Sequence, residues 1–298
     1  MDKRKHVSLV LSSGGARGYA HIGAIEELEA QGYDIKSVSG ASMGALVGGL
    51  YAAGKLSEVS KWMQSLSIRQ IFSLVDFSIS MNHIVKGEKV MDALKEIVPD
   101  VNIEDLPIPF RAVAADIKNH REVVFDKGSL YEAIRASISI PSFFRPVKSG
   151  EMVLIDGGVV NPLPLNRVVR SEGDILVAVN VSAISEHEID ELKNLAEKTL
   201  HKGDNSILRR IIPSPPPVES NYFSLLSKTF SMMIQQNTAL SLELTPPDVL
   251  VNIPMNRLGG FSYDQAEKII RYGRVRMREA LNDYRFLARE LSFPKEKT

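Results

Sequence analysis

Apolar, β-branched residues come in short dense runs along this chain, and helix-length amphipathic stretches separate them. The first run, His6-Val7-Ser8-Leu9-Val10-Leu11-Ser12, predicts a buried strand because its apolar character is nearly unbroken. A helix follows, with Ile22, Ile25 and Leu28 on one face and a stop near Gly32. Tyr33 to Ser39 supplies a second strand, and Ala45 to Gly54 reads as a small-residue helix halted by its glycine. Further strands are predicted over Phe110–Ala115, Glu122–Phe125, Met152–Ile155, Ile175–Val181 and Val249–Ile253. Helical patterns intervene at Lys89–Ile97, Leu130–Ser137 and Phe223–Leu242. The alternation predicts an α/β fold, a mainly parallel central sheet with helices on both faces. The last helix, Asp264 to Leu291, carries alternating charge and reads as a solvated outer helix.

No internal repeat is visible, and residues 1–298 are read as one domain. Pro213-Ser214-Pro215-Pro216-Pro217 reads as a stiff surface connector inside it, since the Val249 strand beyond returns to the same sheet. Ile68 to Val85 is apolar but follows no clean helical stripe, and Ser73, Ser78, Ser80 and Asn82 interleave with it. That pattern suits a mobile flap, with Phe72 and Phe77 lining an acyl path. Pro141 and Phe143 lie close in sequence to an acidic turn described below, and they read as a second part of that lining. Core packing is the competing reading for both stretches.

Candidate chemistry begins at Gly40-Ala41-Ser42-Met43-Gly44, between the second strand and the second helix. Gly-x-Ser-x-Gly at such a junction is the form of a nucleophile elbow. Gly40 and Gly44 leave room for the strained turn, which exposes the Ser42 hydroxyl at a helix N-terminus. A second cluster, Ser13-Gly14-Gly15-Ala16-Arg17-Gly18, follows the first strand at once. Successive glycines there turn backbone N–H groups into one concavity that suits an anion. A dinucleotide does not fit, because Ser13 holds the first glycine position and no strand-end acid follows. A P-loop lacks its Gly-Lys-Ser/Thr. The anion left is the oxyanion of an acyl intermediate, and the nest therefore serves Ser42. A third cluster, Asp156-Gly157-Gly158, ends a short strand. Its carboxylate can reach across the top of a sheet as a base, although Asp-Gly-Gly is also ordinary turn chemistry.

Taken in order, the three clusters resemble the patatin-like phospholipase family. Arg135-Ala136-Ser137-Ile138-Ser139-Ile140-Pro141 looks like the family segment before its catalytic aspartate. Pro247-Asp248-Val249-Leu250-Val251 and Phe261-Ser262-Tyr263-Asp264 also look like bacterial members. Ser13 departs, since many members carry a third glycine there. The resemblance implies a lipid acyl hydrolase with a serine–aspartate dyad, no catalytic histidine and no cofactor. Ser42 would attack the ester carbonyl, Asp156 would take its proton, and the Gly14, Gly15, Ala16 and Arg17 backbone would hold the oxyanion. Gly18, Gly40, Gly44, Gly157 and Gly158 would support these motifs. An α/β-hydrolase triad with His187 or His201 is the rival, but only one clear strand precedes Ser42, and both histidines sit in a charged stretch. A lipid-binding regulator with a silent site is the non-enzyme alternative.

Charge adds an exclusion. Lys plus Arg equals Asp plus Glu at 36 each, which leaves no electrostatic footprint for nucleic acid. There are no cysteines, so disulfides and thiolate metal sites are ruled out. No apolar stretch follows Met1-Asp2-Lys3-Arg4-Lys5-His6, and no apolar run is long enough to span a bilayer. A cytoplasmic protein is expected, with an acyl lipid as substrate and transient contact with a membrane surface.

Overall fold

A computed structural model describes residues 5–66, 69–70, 88–141, 143–184, 222–255 and 263–292. Apart from Arg69 and Gln70, the expected flap lies outside these residues, as do the connector at 213–217 and both late histidines. In chain order the first elements are β1 (His6–Leu11), α1 (Tyr19–Ala30), β2 (Asp34–Ala41), α2 (Met43–Ala52), α3 (Leu56–Ser65) and α4 (Glu88–Ile97). Then come β3 (Phe110–Asp116), β4 (Arg121–Phe125), α5 (Leu130–Ser137), β5 (Val147–Ser149) and β6 (Met152–Asp156). The chain continues through β7 (Ile175–Ala183), α6 (Tyr222–Leu244), β8 (Val249–Pro254) and α7 (Ala266–Ser292). Sequence patterning missed α3 and β5.

The eight strands form one sheet. β1 lies between β2 and β7 and is parallel to both. β8 extends the sheet beyond β7, and β3 extends it beyond β2, again in parallel. Past β3 the direction changes. β4 pairs antiparallel with Ala112–Asp116 along one edge of β3. A strand edge holds one neighbour at a time, so β2 and β6 must share the other edge. β2 takes it up to Val113, opposite Ala41, and antiparallel β6 takes it from Ala114, opposite Asp156. The C-terminal ends of β2 and β6 therefore meet head-on. The expected mainly parallel sheet holds for the half around β1, while the β3–β6 half is antiparallel.

All nine residues of β7 are buried, as is every residue of β1 but the first. Strands covered on both faces carry continuous apolar runs, which is why these two were readable from sequence. Each fully buried aliphatic side chain there, such as Leu9 or Val179, contributes roughly 1.5 to 3 kcal/mol.

The last helix corrects an expectation. α7 is charged on its outer side, but Ile269, Ile270, Met277 and Leu281 are buried against the core. Its contact with α1 is backbone to backbone. A Cβ added at Gly23 would lie 1.9 Å from the Ile270 carbonyl oxygen, and one at Gly273 would lie 2.1 Å from that of Ala20. Arg278 on α7 grips Glu27 on α1 through two hydrogen bonds of 2.8 and 2.9 Å. Alternating charge concealed the apolar stripe because the stripe is narrow and includes a glycine. Gly23→Ala is expected to force these helices apart and to cost about 3 kcal/mol of stability, read as a lower denaturation midpoint. An unchanged midpoint would show that the helices do not touch here.

Candidate active site

The head-on meeting of β2 and β6 brings two of the three sequence clusters together. Ser42 Oγ donates a 2.6 Å hydrogen bond to Asp156 Oδ2. Both residues are buried, at 3% and 0% exposure, so water does not compete for that bond. Ser42 has φ 55° and ψ −123°, a conformation that side chains with a Cβ rarely adopt. It is held there by its surroundings. The Ser42 N–H donates to Ser137 Oγ at 2.8 Å, and that hydroxyl donates to the Val113 carbonyl at 2.6 Å. Ser137 thus bridges the place on the β3 edge where β2 has stopped and β6 begins.

The elbow glycines are needed for close approach. A Cβ at Gly40 would lie 2.3 Å from the Gly44 carbonyl oxygen, and one at Gly44 would lie 2.1 Å from that of Leu11. Gly18 likewise makes room for Met43, the residue after Ser42, whose Cβ would lie 2.4 Å from one placed there. Gly157 approaches the Val113 carbonyl, and Gly158 lies against Ser13 and the Asp156 carboxylate.

Asp156 Oδ1 accepts the Gly158 N–H at 2.7 Å. Burial pushes the carboxyl up to about 7, against the opposing pull of the Ser42 and Gly158 hydrogen bonds. A carboxylate of that basicity suits proton exchange with an alcohol near neutral pH far better than an exposed aspartate does. The Tyr263 phenol lies near enough to feel the same carboxylate. Burial first, then the charge of Asp156, pushes it up to about 12, so it stays protonated.

Gly14-Gly15-Ala16-Arg17-Gly18 passes beside the elbow, and Gly15 to Gly18 form a 3₁₀ turn that leads into α1. The leading N–H groups of such a turn have no acceptor within it. Gly15 has φ 59°, which a glycine tolerates, and it lines the same cavity as Ser42. Arg17 is buried, its guanidinium pulled down to about 10 by burial, and it donates a long 3.5 Å bond to the Met255 carbonyl. The glycine turn and Ser42 therefore border one cavity.

A cavity of about 90 Å³ opens beside Ser42. Its walls are almost wholly apolar, with Leu46, Trp62, Leu94, Ile138 and Tyr263 among them. Phe143 belongs to this lining, packed edge-to-face on Phe144 at 4.9 Å between ring centres. Pro141 does not: it is exposed at the turn before Phe143, and the lining expected of it falls to Ile140. Phe72 and Phe77 lie outside the described residues.

Of the described histidines, His6 is exposed and His120 sits in an exposed turn with φ 53°. His21 is fully buried, with its Nε2 2.9 Å from the Ser12 carbonyl oxygen, and burial lowers its imidazole to about 4. It is a neutral packing group on α1.

The model of the family described as patatin-like phospholipase matches residues 9–169, more than half of the chain, from within β1 to just beyond the Asp156 turn. This protein belongs to the patatin-like phospholipase family. An NTE family protein of Mycobacterium tuberculosis is 48% identical over 176 residues, 59% of this chain and 49% of that protein. A second from the same organism is 27% identical over 283 residues, 93% of this chain and 46% of its own length. A neuropathy target esterase of Drosophila persimilis is 33% identical over 166 residues, 53% of this chain and 11% of that protein. The chain thus spans about half the length of the mycobacterial relatives and much less of the fly one. Among solved structures, VipD of Legionella pneumophila has a TM-score of 0.47 at 14% identity, over 95% of this chain and 67% of that one.

Several residues of this patatin-like site gave no sequence signal of their own. Ser137 lay in a segment noted only for its resemblance, and its bridge depends on where β2 and β6 stop. Tyr19 and Tyr263 face each other edge-to-face at 6.0 Å beside the cavity, although about 240 residues separate them. No local pattern marks such a pair. No described helix is long and apolar enough to cross a membrane.

Proposed function

We propose that this protein is a lipid acyl hydrolase that cleaves carboxyl esters of phospholipids or related acyl lipids through a Ser42–Asp156 dyad. The 2.6 Å bond between Ser42 Oγ and Asp156 Oδ2, with no histidine between them, carries the reading. The apolar cavity beside Ser42 supports an acyl chain as the bound group. Transient contact with a lipid surface would supply such a substrate.

The chemistry then balances in two halves. Ser42 Oγ attacks the acyl carbon as its proton passes to Asp156 Oδ2. The carbonyl oxygen becomes an oxyanion at the Gly14–Arg17 turn and the N-terminus of α2, where backbone N–H groups favour negative charge. Collapse breaks the bond to the alcohol, which leaves with the proton from Asp156, and the acyl group remains on Ser42. Water next attacks that ester while Asp156 takes one of its protons. Collapse of the second tetrahedral species releases the carboxylic acid, and the proton returns from Asp156 to Ser42 Oγ.

A fluorophosphonate probe tests this directly. Mass mapping is expected to find one adduct, on Ser42, and Ser42→Ala should abolish it. No adduct, or an adduct on another serine alone, would sink the nucleophile reading.

A further inference from the structure

We propose that Ser182, near the end of β7, is a positioning residue that holds the Ser13–Gly14 peptide in the orientation an oxyanion site requires. This rests on the hydrolase reading above. The Ser182 hydroxyl donates to the Ser13 carbonyl oxygen at 2.9 Å. Ser12 Oγ donates to the same oxygen at 3.1 Å and is itself anchored by the Val181 N–H at 2.9 Å. Two hydroxyls thus draw one carbonyl toward the β7 side of the loop.

Peptide geometry turns that into a statement about the N–H. In a trans peptide the carbonyl and the following N–H point in opposite directions. β1 lies between β7 and β2, and Ser42 follows the end of β2. A Ser13 carbonyl aimed at β7 therefore aims the Gly14 N–H toward the Ser42 side. The reversed peptide would place a carbonyl oxygen where negative charge develops. It would also strip a hydroxyl of its acceptor at Ser182, which is only 1% exposed and has no solvent to replace it.

The latch is itself braced. The Ser182 N–H donates to Asn180 Oδ1 at 3.1 Å, and Asn180 Nδ2 donates to Asn252 Oδ1 on β8 at the same distance. The other side of Ser13 is tied by its N–H to the Pro162 carbonyl at 2.8 Å. Gly14 lies so close to β7 that an added Cβ would be 2.3 Å from Val181 Cγ2. A serine in place of a third glycine at position 13 is compatible with this arrangement because the loop is held through its backbone.

The test separates orientation of the oxyanion site from general damage. Ser182→Ala is expected to lower kcat roughly 10- to 100-fold with KM within about twofold, since a misdirected donor acts on the transition state. A trifluoromethyl ketone, which forms a tetrahedral adduct with Ser42, should lose affinity by the same factor. A non-cleavable ether of the same chain should not. Ser182→Thr keeps the hydroxyl and should restore both values. Ser182→Cys keeps the volume but donates weakly, so it should match Ser182→Ala and decides the matter if that variant does not fold. Gly15→Val serves as the control that must lower kcat if the loop is the oxyanion site. Unchanged kcat and ketone affinity in Ser182→Ala and Ser182→Cys, with a damaged Gly15→Val, would overturn the latch and leave the hydrolase reading standing. An undamaged Gly15→Val would remove the oxyanion role from the loop and the latch with it. Absence of Ser42 labelling in the unaltered protein would overturn both.

Discussion

Ester hydrolysis is expected to fall by about 10⁴-fold or more when Ser42 becomes alanine, and by about 10² to 10⁴-fold when Asp156 becomes asparagine. Removing the nucleophile ends the covalent route altogether. Removing the base leaves the nucleophile in place but without a group to take its proton, since Ser42 Oγ donates to that carboxylate alone among the described residues. The same bond sets a pH dependence. Asp156 works as a base only when ionised, and burial holds it near 7. The quotient kcat/KM should therefore climb about tenfold per pH unit below 7 and flatten above it. Circular dichroism must show both variants folded. A profile that levels off near pH 4 would mean that Asp156 is not the titrating base. Normal turnover in Asp156→Asn would hand the proton to another residue.

Asp156→Asn is expected to make the protein more stable at pH 8 while it destroys activity. The folded carboxyl keeps its proton up to about pH 7, whereas an unfolded one releases it near 4. Between these values the folded state holds the extra proton, so this group's contribution to stability falls as pH rises. Above pH 7 the fold carries a buried carboxylate with no cation among its hydrogen-bond partners, at a cost on the order of 4 kcal/mol. Asparagine stays neutral and can still accept the Gly158 N–H. The variant should melt roughly 5 °C above the unaltered protein at pH 8, and the gap should narrow to about a third of that at pH 5. A variant that melts lower by the same margin at both values would show that the buried carboxyl does not titrate as described. The folded protein thus gives up stability at neutral pH by keeping this carboxyl buried.

Much of the fold and part of the site were readable from residue order alone. Dense apolar runs identified β1 and β7 because both faces of those strands are covered. Glycines at 40 and 54 marked the turn before α2 and its end, since each answers a local demand: close approach to the Gly44 carbonyl at Gly40 and φ 69° at Gly54. Ser42 and the Gly14–Gly18 nest could be assigned as candidates for the same reason, because an elbow and a nest are local backbone shapes. Long-range relations were not readable. That β2 and β6 end against each other on one edge of β3 depends on strand direction, which a short apolar run does not encode. That meeting, and not the Asp-Gly-Gly turn, turns Asp156 from an ordinary turn residue into a buried partner of Ser42. The burial of α7 behind its charged surface depends on α1, where Gly23 admits the Ile270 carbonyl and Gly273 on α7 admits that of Ala20. The Ser13 carbonyl, likewise, is met by the Ser182 hydroxyl of β7, some 170 residues further along the chain. Sequence determines backbone shape where the determinants are neighbours, and tertiary packing decides everything that needs two distant segments to arrive at one place.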